Sequence, residues 1–294
     1  RDMLCCRSGG GPVQPYARHI VIPDTQVKPG VNLRPMGWIG QYIVDEFRDR
    51  PNIKIIHLGD HADFPSLSSY DKPGSKQLEG RRYIEDVKAA NAGWAALNKP
   101  LVDLNKTRKK TKHGQWWPER HITLGNHENR VTRAVDSDPV RLEGVLDLQH
   151  LDYERSGWRV HRFLDILWLD GVGYSHYAVT PMTGRPMGGQ AQLQLQKLGH
   201  SMITGHQQTL DYAVRYTRNE NGGMRSIHRI IAGAAYAHHE EYLGPQGNDH
   251  WRGVLVLNEV RGGSFDPLFV SLDYLCRRYE GRTLDSWQKA QGIK

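Results

Sequence analysis

At 294 residues, with 38% hydrophobic and 24% charged side chains, the chain has the balance of a globular protein and the length for a substantial core. One large unit is expected, because sandwich folds reach about 250 residues without dividing. No apolar run nears the roughly 18 residues needed to cross a bilayer, which excludes a membrane-spanning helix, and a formal net charge of +7 suits approach to a polyanion such as DNA or RNA.

Three cysteines, two of them adjacent at Cys5 and Cys6 and one alone at Cys276, give neither a disulfide framework nor a cysteine-based zinc spacing, so a reducing cytoplasm is expected. Residues 1–16, with the run RSGGGPVQP, read as a flexible leader. The body of the fold is expected over 17–277, followed by a C-terminal tail over 278–294.

Short β-branched runs recur along the body, each ending in a polar cluster: HIVIPD (19–24), IKIIHLGD (53–60), HITLGNHE (121–128), VGYSHY (172–177) and MITGH (202–206). They read as buried strands feeding loops. Between the first two, Met36, Ile39, Ile43 and Phe47 keep helical spacing, so the chain opens as a strand–helix–strand unit. A second helix is predicted from about Leu78 to Leu104, where Tyr83, Val87, Ala90, Trp94, Leu97, Leu101 and Leu104 form one stripe.

That helix reads as part of an insertion over 64–120, ending in the basic stretch KTRKKTKHGQWWP (106–118). The stretch either holds a nucleic-acid backbone, with a tryptophan stacked on a base, or is a solvated loop with Trp116 and Trp117 against the core. Gln190–Leu198 is predicted helical. Beyond it, HRIIAGAAY (228–236), RGVLVLNEV (252–260) and FDPLFVSLDY (265–274) read as antiparallel strands of a second sheet. The fold class is α/β, a two-sheet β-sandwich flanked by helices in a single domain.

Candidate metal ligands fall at the ends of successive predicted strands, where open α/β sheets build their sites. They are Asp24 and Gln26 in PDTQ, Asp60 and Asp63 in GDHAD, Asn126 and His127 in GNHE, His176 in YSHY, and His206 and Gln208 in GHQQ. Singly, each is more often a turn former. As an ordered set from Asp24 to Gln208 they resemble the signature of the calcineurin-like metallophosphoesterases: Asp-x-His, Gly-Asp-x-x-Asp, Gly-Asn-His-Asp/Glu, a lone His, then Gly-His-x-His. The VIPDTQ opening is also similar to phosphoesterases carried by bacteriophages, for which the compartment would be the host cytoplasm.

The resemblance implies two divalent ions, with Asp60 bridging them, Asp24 on the first, and Asn126, His176 and His206 on the second. It further implies a hydroxide held between the ions as nucleophile, His127 as the general acid on the leaving group, and Asp63 orienting His127. Two family histidines are replaced, by Gln26 and Gln208. Both replacements touch the first ion, and amide oxygens there favour Mn²⁺ over zinc, with Mg²⁺, Ca²⁺, Zn²⁺ and Fe as the other metals to weigh.

Arg130 and Arg133, a helical turn apart after GNHE, are candidates for gripping a phosphate, or else pair with Asp136 or Asp138. His238, His239, Glu240 and Glu241 either line the substrate cleft or form a solvated turn. His57 and His61 flank Asp60 and match no ligand position. The expected activity is a phosphodiesterase acting on nucleic acid. A phosphomonoesterase acting on protein or small molecules, or a metal-binding accessory protein without turnover, remain the alternatives.

Overall fold

The computed structural model describes residues 16–68, 78–180, 182–218, 222–240, 244–248 and 250–293. Apart from Tyr16, the expected leader lies outside the described residues, and so does Glu241. In chain order the chain forms β1 (Ala17–Ile22), α1 (Arg34–Phe47), β2 (Ile53–His57), α2 (Tyr83–Lys110), β3 (Glu119–Thr123), α3 (Asn129–Ser137), α4 (Pro139–Leu142) and β4 (Arg159–His161). It continues through β5 (Leu167–Leu169), β6 (Val172–Ser175), α5 (Ala191–Leu198), β7 (Met202–Thr204), β8 (Leu210–Arg218), β9 (Met224–Ala232), α6 (Gly244–Gly247), β10 (Gly253–Arg261), β11 (Ser264–Ser271), α7 (Leu272–Glu280) and α8 (Leu284–Ala290).

Two mixed sheets result, with strand orders β11-β10-β1-β2-β3-β4 and β5-β6-β7-β9-β8. The two-residue period of the strands sorts their side chains. In β1, Val21 turns toward the second sheet and joins Ile56, Leu58, Leu255 and Leu257 against Tyr174, Ile203, Ile230 and Ala232. Ile20 and Ile22 turn the other way and pack with Ile55, Ile122, Val254 and Val256 under Met36, Ile39, Ile43, Phe47, Trp94 and Leu97 of α1 and α2. On the outer face of the second sheet, Ala191 and Leu195 of α5 cover Ala213, Ile227 and Ile231. This is the helix-flanked sandwich expected from the strand pattern.

Several expectations need correction. The 252–260 and 265–274 runs do not join the second sheet, because β10 pairs antiparallel with β1 and β11 with β10 at the edge of the first. Every residue from Gly253 to Leu257 is buried, so β10 is a strand covered on both faces, which the position between β1 and β11 provides. Residues 64–120 are not an inserted unit. Helix α2 is the crossover joining the parallel neighbours β2 and β3, and its Trp94 sits at zero exposure in the main core.

Residues 278–293, expected as part of the C-terminal tail, do not trail away either. They complete α7 and form α8, where the Thr283 side chain accepts from the Ser286 N–H and Trp287 is buried edge-on against Trp38, ring centroids 4.9 Å apart. Residues 210–218, unassigned in the sequence, form the edge strand β8. The two tryptophans after the basic stretch divide: Trp116 packs on the core with its backbone clamped by the Asn105 amide, while Trp117 is 48% exposed and carries the Arg120 guanidinium over its ring. No helix among the described residues is long and apolar enough to cross a membrane.

Candidate metal centre

The strands whose ends were expected to carry ligands, β1, β2 and β3 in one sheet and β6 and β7 in the other, bring Asp24, Asp60, Asn126, His176 and His206 close together. His176 Nε2 lies 2.9 Å from Asn126 Oδ1 and 3.2 Å from Asp60 Oδ2. Donor atoms of Asp60, His176 and His206 all fall within 4.8 Å of one another, so this buried cluster could hold a metal ion. Asp24 adjoins it, its two carboxylate oxygens accepting from the His206 N–H at 3.1 and 3.2 Å. Gln26 is buried with its N–H on the Asp60 carbonyl at 2.9 Å, and Gln208 Oε1 accepts from the Tyr236 hydroxyl at 2.7 Å.

Close backbone approach makes this convergence possible. A Cβ on Gly125 would stand 2.0 Å from Asp60 Oδ1, and one on Gly205 would stand 2.2 Å from Asp24 Oδ1. Four of the ligand candidates themselves occupy the left-handed backbone region: Gln26 (φ 38°), Asp60 (φ 49°), His206 (φ 68°) and Gln208 (φ 57°). Such conformations cost on the order of 1–3 kcal/mol each and persist where surrounding structure over-determines them.

Glu128 supplies much of that over-determination. Its Oε2 accepts the N–H groups of Asp60 and Gly125, both at 2.9 Å, and its Oε1 accepts those of His61 (2.8 Å) and Ala62 (3.0 Å) together with the Tyr153 hydroxyl (3.1 Å). Burial and the nearby Asp60 push this carboxyl up. All five bonds are nevertheless donated to it, an arrangement that only the ionised carboxylate satisfies.

A second brace runs behind the loops. The Gly59 N–H donates to His57 Nδ1 (3.2 Å), which leaves the His57 proton on Nε2 to meet Thr25 Oγ1 (3.2 Å). The Thr25 hydroxyl then donates to His61 Nδ1 (2.7 Å), and His61 Nε2–H to the Ala90 carbonyl (2.9 Å). This chain fixes one tautomer for each buried ring and ties the Asp24 and Asp60 loops to α2.

The electrostatics fit a cation. Burial, reinforced by Asp60, pushes Asp24 up to about 7 despite the opposing His176, so two fully buried carboxylates crowd one region. Burial opposes the charge on Asp60 as well, but His127 and His176 outweigh it and hold its carboxyl below the usual range. His176, although buried, is raised to about 9 by Asp60 and Asp24. Its Nδ1–H donates to the Leu58 carbonyl at 2.8 Å, which turns Nε2 toward the cluster. A backbone acceptor behind an imidazole, with the other nitrogen facing carboxylate and amide oxygens, is the environment of a metal-ligating histidine. Burial lowers His206 to about 4, so its ring is neutral and able to ligate at physiological pH.

His127 stands beside the cluster, its N–H on Asp60 Oδ1 at 2.9 Å and its Nδ1 2.6 Å from Asp63 Oδ1. Burial lowers its pKa and Arg130, with Nη2 at 3.2 Å from Nε2, disfavours a second proton, yet Asp60 and Asp63 together raise it above the ordinary value. Asp63 in turn is held down to about 2, burial being overcome by His127, Lys28 and Arg130.

Arg130 turns inward, its Nη1 donating to the carbonyls of Asp63 (2.8 Å) and Phe64 (3.2 Å), so it secures the Asp63 loop while its Nη2 stays beside His127 Nε2. Arg133 is exposed. Sequence reasoning gave no role to Glu128, the fourth letter of GNHE, nor to Lys28 and Tyr153; only Glu128 lay within a quoted motif. No family model and no curated protein matches this chain.

Proposed function

We propose that this chain is a metal-dependent phosphoesterase of the calcineurin-like type that cleaves phosphodiesters of nucleic acid, with two divalent ions as its cofactors. The observation that carries this reading is the meeting of Asp60, Asn126, His176 and His206 from four strand ends, with the His127–Asp63 pair directly beside them. Asp24, Gln26 and Gln208 would hold a first ion, Asn126, His176 and His206 a second, and Asp60 both. Such ions supply concentrated positive charge for an anionic ester and a nucleophile that exists at neutral pH.

The protein's own groups account for the rest. Asp63 accepts the Nδ1–H of His127 and so turns Nε2 toward the cluster, between Asp60 Oδ2 and Arg130 Nη2, where a proton held on it in place of the Arg130 contact could pass to a departing alkoxide. Asp60 Oδ2, 3.7 Å from that nitrogen, favours the protonated ring. Phosphodiesters with poor alkoxide leaving groups gain most from such an acid, which favours a diester over an activated monoester. Amide oxygens at Gln26 and Gln208 favour Mn²⁺ over Zn²⁺. The net charge of +7 and the exposed cations that close α2 suit a polyanionic substrate.

The test is cleavage of single- and double-stranded oligonucleotides with Mn²⁺, alongside metal content per chain. His127→Ala is expected to lower turnover by about 100-fold or more while metal content stays unchanged. Full diesterase activity in that variant would remove the acid. Phosphate release from monoesters with intact oligonucleotides would make the protein a phosphomonoesterase, and no turnover with metal bound would make it an accessory protein.

A further inference from the structure

Outside the cluster, a half-buried lysine between two buried carboxylates lies where the loop after β9 crosses the loop after β1. Lys28 Nζ is 2.6 Å from Glu240 Oε2 and 3.4 Å from Asp63 Oδ2. Glu240 is 3% exposed and held from both ends. Its N–H donates to Asn248 Oδ1 at 2.8 Å, its carbonyl accepts from Asn248 Nδ2 at 2.9 Å, and its Oε1 faces His238 Nε2 at 2.8 Å. His238 stacks on Tyr236, centroids 4.5 Å apart, and the Tyr236 hydroxyl is the donor to Gln208. The same loop is fixed at its start by the Ala235 N–H on the Asp24 carbonyl at 2.7 Å.

Asp63 therefore has a divided carboxylate. One oxygen takes the His127 Nδ1–H, and the other points at Lys28. The ammonium is the cation between two buried carboxylates, and an immobile Glu240 fixes where it sits. With Lys28 free to swing, the Asp63 carboxylate would keep only its Oδ1 contacts, His127 Nδ1 at 2.6 Å and Arg130 Nη1 at 3.6 Å, and its terminal torsion, broad and roughly two-fold, would be less restrained.

We propose that Lys28 is a positioning residue: clamped by Glu240, it locks the Asp63 carboxylate in the orientation that aims His127. This rests on the phosphoesterase reading for its catalytic consequence but not for its geometry. Proton delivery to a leaving group is sensitive to such aim, whereas departure of a stable phenolate needs little protonation.

Two measurements test it. With Mn²⁺, wild type, Lys28→Met, Lys28→Arg and the double variant Lys28→Met/Glu240→Gln are compared on a thymidine dinucleotide, whose leaving group is a nucleoside alkoxide, and on bis(4-nitrophenyl) phosphate. Lys28→Met is expected to lose about tenfold in kcat on the dinucleotide and about twofold or less on the nitrophenyl ester. Lys28→Arg is expected to stay near wild type. The double variant, which no longer buries an uncompensated Glu240 and so guards against misfolding, is expected to keep the bias of the single one. Equal losses on both esters, or recovery in the double variant, would overturn the proposal.

The second measurement needs no turnover. In metal-free, ¹⁵N-histidine-labelled protein, the His127 Nδ1 proton is expected at low field, absent in Asp63→Asn, lost or shifted in Lys28→Met and kept in Lys28→Arg. Its absence from wild type, or its persistence unshifted in Lys28→Met, would overturn the role of Lys28. Should wild type cleave neither ester, the phosphodiesterase reading falls, and the resonance alone decides about Lys28.

Discussion

Replacing Glu128 by glutamine keeps the size of the side chain and removes its charge, which makes it a sharp probe of what holds the loops of the candidate site. The carboxylate accepts four backbone N–H groups and one hydroxyl at zero exposure. An amide must set its NH₂ against one of the two donor groups, either Asp60 and Gly125 or His61 and Ala62, and so leaves two N–H groups facing donors. Each buried donor without a partner costs about 1–3 kcal/mol, and the surviving bonds lose their charge assistance, so a destabilisation of about 4 kcal/mol is expected. At about 2 °C per kcal/mol for a large domain, the melting temperature should drop by about 8 °C. Tyr153→Phe removes only one donor and leaves the four N–H bonds, so its loss should be near 1 kcal/mol. Urea unfolding with calorimetry in parallel gives both numbers. A loss below about 1 kcal/mol for Glu128→Gln would refute the claim that this carboxylate is ionised and holds the Asp60 loop to the Gly125 turn.

Three further outcomes are expected. Gly125→Ala places a Cβ 2.0 Å from Asp60 Oδ1, and the displaced carboxylate should weaken Mn²⁺ binding by about tenfold or more, measured by calorimetric titration; unchanged affinity would contradict the close approach. In wild type, Mn²⁺ at about 100 times its dissociation constant should add about 2.7 kcal/mol of stability, and His176→Ala should abolish that gain. Burial lowers His228 to about 4, its ring lying between Tyr212 and Phe265 with Nδ1 and Nε2 bonded to the Tyr212 and Ser226 hydroxyls. Between its ordinary value and 4 the unfolded chain binds a proton that the folded chain refuses, so stability falls as pH falls through that window. The His228 share should be about 2 kcal/mol by pH 5, and it should vanish from the difference between unfolding at pH 7.5 and pH 5 in His228→Asn.

The strand ends were legible because each candidate ligand closely follows a strand-forming run, so local sequence carries both the strand and the side chain it delivers. Sheet membership was not. The run at 252–260 pairs with β1 from more than 230 positions away, and only a fully buried pattern hinted that both of its faces needed cover. Helix α2 read as an insertion because an apolar stripe shows that a helix packs without showing on what, and here the stripe is the crossover face. Arg130 shows the limit of spacing as evidence. A guanidinium one turn from His127 can face a ligand or a loop carbonyl, and the fold aims it at the carbonyls of Asp63 and Phe64. Lys28 and Glu240 are 212 residues apart, and neither belongs to a motif.

The strained residues and the bracing residues are separate sets, and that division argues for a site shaped ahead of its ligand. Left-handed backbone at Gln26, Asp60, His206 and Gln208, with two buried carboxylates in one region, works against folding. Opposing it are bonds made by residues that offer the cluster no donor of their own: Glu128 on four N–H groups, the Thr25–His57–His61 chain, and Arg130 on two carbonyls. Were the cluster only a knot of polar residues stabilising the fold, its members would adopt relaxed conformations and each polar hydrogen would have one acceptor of its own. Here His176 Nε2 instead faces two acceptor oxygens at once, Asn126 Oδ1 and Asp60 Oδ2, although a single N–H can satisfy one of them well. A cation that takes the place of that proton relieves both oxygens and the Asp24–Asp60 repulsion together, which is why the strain is better understood as preparation for metal than as a defect of the fold.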